Sequence, residues 1–305
     1  MSESGQGNVF ITGASAGIGA ATADLLVRRG YTVFAGVHTT AATPRPGLRP
    51  VPIDVTDPES VSAAAELVAA EVGGAGLRAV VNNAGIIVQG PLELVSPAEL
   101  QRQFAVNTLG PAYVCRSFLP LVRAGHGRIV NISAPTARVP VPFLGPIGAS
   151  KAALVSLSDA LRSELAAWHI PVVVVEPGGT RTEIFTKAER VAAATMATDR
   201  APLYGAQLAA VAKAAARQPL GPIDPVAAAV ARAVAARNPK RHYAAGTGVR
   251  LFGVIAALPD PLRDRVVATA FGLTGAARKA DAGNRQPTDP RLGVTEGTVP
   301  PPSAR

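Results

Sequence analysis

Apolar positions along the chain fall into short, almost continuous runs, separated by longer stretches in which they recur at helical spacing. Asn8 to Thr12 reads as a buried strand, and Ile18 to Arg29 as a helix ended by Gly30, a suitable C-cap. Thr32 to Gly36, Arg49 to Ile53 and Leu77 to Val81 read as further strands, with a helix from Pro58 to Val72 between the last two. Ser96-Pro97-Ala98-Glu99 combines an N-cap, a first-turn proline and an acid, and starts a helix expected to run to about Pro120. Arg128 to Ile132, Pro171 to Val175 and Arg241 to Ala245 complete the strands, with a helix from Ser150 to Trp168 and another starting at Asp224-Pro225. The alternation predicts an α/β fold: a Rossmann-type doubly wound parallel sheet of about seven strands, with helices on both faces.

The organisation expected is a flexible start over 1–7, one domain over 8–280 and a disordered tail over 281–305. Residues 183–223 are alanine-rich, break the strand alternation and contain Tyr204; they read as an inserted helical lid over a substrate site. The tail is rich in Pro, Gly, Thr and Arg without periodicity, so ordering it would bury little apolar surface.

Composition narrows the function classes. With 305 residues, 48% hydrophobic and only 4% aromatic, the core must be packed from Ala, Val, Leu and Ile. The net charge of +9 is scattered, with no basic stripe, stacking aromatics or reading motif, so no nucleic-acid partner is expected. Spanning a bilayer takes roughly 18 to 20 apolar residues; the longest apolar stretch, Val249 to Leu258 before Pro259, is too short and reads as a buried or interface helix. Cys115 is the single cysteine and cannot form an internal disulfide, which suits a reducing cytoplasm. His38, His126, His169 and His242 stand apart without ligand spacing, so no metal site is expected.

Thr12-Gly13-Ala14-Ser15-Ala16-Gly17-Ile18-Gly19 lies between the first strand and the first helix, where glycines have defined mechanical uses. Gly13 permits a tight turn, Gly17 lets backbone approach a pyrophosphate, and Gly19 lets helix and sheet pack closely, with phosphate charge at the helix N-terminus. This predicts a dinucleotide site.

In these residues the chain resembles the short-chain dehydrogenase/reductase family, whose TGxxxGxG signature falls on Thr12, Gly13, Gly17 and Gly19. By the same resemblance Asp54 and Val55 would hold adenine, and Asn82-Asn83-Ala84-Gly85 matches the family's NNAG segment. Asn107 and Lys151 match the asparagine and lysine of its catalytic tetrad, and Pro177-Gly178-Gly179-Thr180-Arg181-Thr182 the segment that meets the nicotinamide amide. The cofactor-binding set implied is Gly13, Ser15, Gly17, Ile18, Gly19, His38, Asp54, Val55, Asn83, Ala84, Gly85, Lys151, Pro177, Gly178, Thr180 and Thr182. Ser158 to Leu165 and Val175-Glu176-Pro177-Gly178 look most like the branch containing retinol and hydroxysteroid dehydrogenases. The end of the second strand, Gly36-Val37-His38-Thr39-Thr40, carries no acid for a ribose hydroxyl; His38 could approach a 2′-phosphate, which favours NADP over NAD, or be an exposed loop histidine. The family implies a homodimer or homotetramer.

The chain departs from the family at the chemistry. The family's general acid/base tyrosine stands four residues before the lysine, and that position is Ile147. Its serine stands thirteen residues earlier still, and that position is Ala134. Ser133 is one place early, which on a strand points the side chain to the other face. General acid/base groups contribute about 10² to 10⁴ in rate, so ordinary carbonyl reduction is disfavoured. Thr136, Tyr204 or a water near Lys151 are the candidate substitutes. Ala134, Pro140, Pro142, Phe143, Ile147 and Tyr204 are expected to line a pocket for a hydrophobic small molecule. Three functions follow: hydride transfer that needs no tyrosine, to an enone, an iminium or an activated carbonyl; a non-redox cyclase, isomerase or dehydratase; or a silent cofactor-binding regulator or subunit.

Overall fold

The computed structural model describes residues 6–38, 44–195 and 200–274. The expected tail, residues 1–5 and Thr39 and Thr40 lie outside the described residues. The strands are β1 (Asn8–Thr12), β2 (Thr32–Val37), β3 (Leu48–Pro52), β4 (Ala79–Asn82), β5 (Ile129–Ile132), β6 (Val172–Pro177) and β7 (His242–Ala245). They form one sheet in the order β3-β2-β1-β4-β5-β6-β7, and every pairing is parallel. The order reverses between β1 and β4, so a crevice opens at their carboxyl ends, the place where doubly wound sheets bind ligands.

The helices are α1 (Gly17–Arg28), α2 (Pro58–Val72), α3 (Pro97–Phe104), α4 (Gly110–Ala124), α5 (Gly145–Glu164), α6 (Ile184–Thr195), α7 (Gly205–Ala215), α8 (Asp224–Ala235), α9 (Val249–Ala256) and α10 (Asp260–Ala270). Strand alternation divides the core in two. Val9, Ile11, Val130, Val173 and Val175 pack on one face against Ala23 and Leu26 of α1 and Val226, Val230 and Val234 of α8. Phe10, Val80, Ile129 and Val172 pack on the other against Val61 and Val68 of α2 and Val114 and Phe118 of α4. Both faces of the central strands are therefore covered, as their unbroken apolar runs require.

Two helices differ from expectation in ways that build the site. The helix starting at Ser96 does not stop near Pro120: it continues to Ala124, with Pro120 inside it, and a π turn over Ala105–Leu109 joins α3 to α4. A π turn adds a residue to the helix and turns a side chain out of the regular ladder; here it lies around Asn107. The helix expected from Ser150 starts at Gly145, because Pro146 suits the first turn, where its missing N–H is no loss. Ile147 and Lys151 thus sit one turn apart on the same face. The expected strand at Leu77 begins at Ala79, since the Leu77 amide bonds the Leu121 carbonyl instead of entering the ladder.

Residues 184–195 form α6, and residues 201–215 form a short turn over Ala201–Tyr204 followed by α7. No helix among the described residues is long and apolar enough to cross a membrane. None of the described His, Cys, Asp and Glu side chains gather in threes around a metal position.

Candidate active site

The glycine turn is held by hydrogen bonds from the loop that follows β4. Thr12 Oγ1 accepts from the amides of Asn83 and Ala84, each at 3.0 Å, and Asn83 Nδ2 donates to the carbonyls of Thr12 and Gly13, each at 3.0 Å. Gly13 and Gly17 have φ of 63° and 57°, the left-handed region that favours glycine. A Cβ on Gly19 would stand 2.3 Å from the Gly13 carbonyl oxygen, and one on Gly13 would stand 2.9 Å from Ala84 Cα. The glycines are thus demanded by backbone contact at the sheet end, while Ser15 and Ala16 are exposed at the mouth of the turn.

Beside the turn, the chain brings together Gly85, Asn107 and Lys151. A Cβ on Gly85 would lie 3.4 Å from Asn107 Oδ1 and 3.6 Å from Lys151 Nζ, so only hydrogen keeps that space open. Asn107 clamps the backbone of Ile86: Oδ1 accepts from its amide at 2.9 Å and Nδ2 donates to its carbonyl at 3.0 Å. Lys151 Nζ donates to the Ile132 carbonyl at 2.7 Å. Burial lowers the pKa of this amine to about 8, because taking an ammonium out of water favours the neutral form. Gln103 reaches the same loop, donating to the Ile86 carbonyl at 3.0 Å and accepting from the Val88 amide. Ser150 Oγ faces Asn107 Nδ2 at 3.3 Å and donates to the Ile147 carbonyl.

Pro177, Gly178, Thr180 and Thr182 close the crevice from the β6 side. The Gly178 amide donates to Ala245, Thr180 Oγ1 donates to the Gly178 carbonyl at 2.8 Å, and the Thr182 methyl lies opposite Gly17, 3.5 Å from where a Cβ would be. Facing glycine and methyl leave a slot lined by small groups.

Several expected site residues are occupied otherwise. The Asn83 side chain and amide both brace the glycine turn, which leaves only its carbonyl for a ligand. Val55 is core, buried against Gly110, and Ile18 packs on the α1 face of the core. His38 Nε2 lies 3.3 Å from Asp54 Oδ2, so the residue read as a phosphate partner is turned onto a carboxylate. Asp54 in turn accepts from the Thr56 hydroxyl at 2.7 Å and the Thr56 amide at 2.9 Å. The Thr56 hydroxyl holds the Asp54 carboxyl below its ordinary pKa, and the Thr56 amide and His38 act the same way.

At the position where the family resemblance puts its tyrosine, Ile147 is buried with Ile87 and Ala188, packed by Leu144, Ile184 and Phe185. Ala134 is half-buried, whereas Ser133, just past β5, is buried with its hydroxyl unpartnered. Thr136 Oγ1 is likewise buried and unpartnered. Pro142 and Phe143 are half-buried and Pro140 is exposed. Tyr204 stacks edge-on against Phe143, with centroids 6.4 Å apart, but its hydroxyl donates to Glu93 Oε2 at 2.6 Å. That bond raises the Tyr204 pKa, so this phenol is committed to a carboxylate.

Sequence reading missed Thr12, Gln103 and Ser150 as organisers, and the ion pair of Arg138 with buried Glu176. Gln103 had a signal, a polar residue one turn before Asn107; Arg138 and Glu176, 38 residues apart, had none.

The sequence profile described as short chain dehydrogenase matches residues 7–192. Estradiol 17-beta-dehydrogenase 2 of Mus musculus is 33% identical over 285 residues, covering 86% of this chain and 74% of that protein. Retinol dehydrogenase 5 of Homo sapiens is 34% identical over 277 residues, covering 85% and 87% respectively. Among solved structures, a short chain dehydrogenase from Burkholderia cenocepacia J2315 in complex with NADP superposes with a TM-score of 0.69 at 26% identity, covering 86% of this chain and 97% of that one. With its parallel sheet, glycine turn and Gly85, Asn107 and Lys151 cluster in place, this chain is similar to hydroxysteroid and retinol dehydrogenases and belongs to the short-chain dehydrogenase/reductase family.

Proposed function

We propose that the protein is a nicotinamide-dependent oxidoreductase acting on a hydrophobic small molecule by a route that uses no tyrosine. The observation that carries this is the contrast across α5: Lys151 faces the space beside Gly85 and Asn107, while Ile147, one turn earlier, is sealed in an apolar cluster. The residues present fit a dinucleotide. The Gly17 backbone is free to approach a pyrophosphate opposite Thr182, and the Gly85 gap admits a ribose between Asn107 and the buried Lys151 amine. The protonated amine would hold ribose hydroxyls and favour the ligand's negative charge, and Asn107 would keep the Ile86 loop in register. When bound, a reduced nicotinamide supplies hydride. Ile147 and Ala134 have no proton to give, and the apolar cluster around Ile147 suits an acceptor that needs no protonation as hydride arrives. An iminium is already cationic, and an enone accepts hydride at carbon and takes its proton afterwards from solvent. NADP is favoured over NAD by the lack of an acid at the end of β2; the solved neighbours include one holding NADP and one holding NADH. The roles of Asp54, Ala84, Pro177, Gly178 and Thr180 around the cofactor, the 183–223 lid and assembly into a dimer or tetramer belong to the same reading.

The test is stoichiometric. NADPH oxidation measured against hydrophobic iminium and enone substrates should give one reduced product per cofactor consumed. A product of unchanged oxidation level, formed without cofactor use, would assign the second reading, a cyclase, isomerase or dehydratase. The apolar setting of Ile147, which shapes a ligand without donating to it, is the observation that favours that reading. Failure to bind either nicotinamide would remove both.

A further inference from the structure

At the opposite end of the sheet from the glycine turn, a cavity of about 630 Å³ opens between the C-terminal ends of α1 and α8 and the start of β7. Its charged lining is Arg29, Arg232 and Lys240, with His242 and Tyr243 beside them and a floor of small alanines. No carboxylate lines it, and among the described residues none of Arg29, Arg232 and Lys240 pairs with an acid.

Helix C-termini attract cations, so part of this charge is explained by α1 and α8. Each terminus carries about half a negative charge, about one in total, against three full positive charges on the lining. Arg128 adds a fourth behind the wall: it is buried, donates to the carbonyls of Ala233 and Ala236, and keeps its Nε unpartnered. Burial presses its pKa down to about 10, and the nearby Arg78 acts the same way. The helix ends are thus overcompensated, and the surplus faces a cavity.

We propose that this cavity is an anion site for a ligand bearing clustered phosphates, separate from the cofactor crevice. Guanidinium forks pair with phosphate as with carboxylate oxygens, and three cations exceed the single charge of a lone carboxylate but match clustered phosphates. Tyr243 fixes the rim, its hydroxyl accepting from the Lys240 amide at 3.2 Å, so Lys240 is held at the mouth.

The probe is inorganic tripolyphosphate, titrated calorimetrically at physiological ionic strength into the full chain carrying one equivalent of NADP. The expected result is saturable binding at one site that weakens about tenfold per removed cation in Arg232→Gln/Lys240→Gln. The control Lys213→Gln/Arg217→Gln, which removes the same charge from exposed positions on and just after α7, should leave it within about twofold. Should the first variant fold poorly, Lys240→Gln alone, at an exposed position past α8, carries the same test. Vesicles bearing a phosphoinositide, bound through the same two residues, would assign the phosphates to a lipid headgroup; binding of the free anion alone would assign a soluble ligand. No saturable binding, or equal weakening in both double variants, would overturn the site.

Discussion

The two sides of the crevice are built from opposite materials. On the β1 and β4 side, position is set by backbone: Thr12 and Asn83 hold four hydrogen bonds to the glycine turn, and Gly13 and Gly19 leave no space for a Cβ. On the α5 and α6 side, position is set by apolar packing: Ile147, Ile87 and Ala188 touch one another without a directional bond. A surface held by backbone contacts admits few sequences and keeps its ligand; one held by dispersion and burial can be respecified with little structural cost. This is the physical reason a family frame can retain its cofactor machinery while changing the group that faces the substrate.

The comparison breaks first at the glycines. Gly19→Val places a side chain against the Gly13 carbonyl and Asn83 and should abolish NADPH binding while lowering the melting temperature; Gly145→Ala, where a Cβ meets nothing within 4 Å, should leave both nearly unchanged. Fluorescence titration of NADPH with thermal unfolding reads the pair.

Next comes Lys151. Its folded pKa is depressed from 10.5 to about 8 by burial, so the unfolded chain binds the extra proton between those values. Unfolding free energy of the cofactor-free protein should therefore rise between pH 8 and 10.5, by up to about 3 kcal/mol, and this rise should vanish in Lys151→Met. NADPH affinity should move the other way, falling as pH climbs through about 8 and the ammonium is lost. Denaturant melts and titrations along a pH series measure both.

The polar core beneath the crevice should weigh less. Asn82 Nδ2 donates to Asn131 Oδ1, and Asn131 Nδ2 to Ser158 Oγ, each at 2.8 Å in buried surroundings. Asn131→Ala strands both partners and should cost about 2 kcal/mol in urea unfolding, with cofactor affinity scarcely altered. The smallest effect is expected on the substrate side: Tyr204→Phe loses only an exposed bond to Glu93, which Arg200 still holds. It should raise KM a few-fold at unchanged kcat, measured at saturating NADPH.

Legibility followed the same division. Asn8–Thr12 and Pro58–Val72 were readable to the residue, because apolar runs and a capped proline act locally. The glycine spacing announced the turn for the same reason. The helix start at Gly145 was obscured because Pro146 and Gly148 look like loop residues until Pro146 is placed in a first turn. Asn107 could be located, but not its π turn, which depends on what it clamps in the Ile86 loop. His38 with Asp54, and Arg138 with Glu176, are meetings of loops and strand ends that no local pattern encodes.

The most direct measurement is ketone reduction by the native chain and by Ile147→Tyr/Ala134→Ser, with NADPH affinity determined on the same samples. An intact cofactor frame lacking its acid/base pair predicts equal affinity in both and at least about a 10²-fold gain in hydrophobic-ketone reduction in the double variant. Rapid ketone reduction by the native chain, unimproved by the two substitutions, would contradict it.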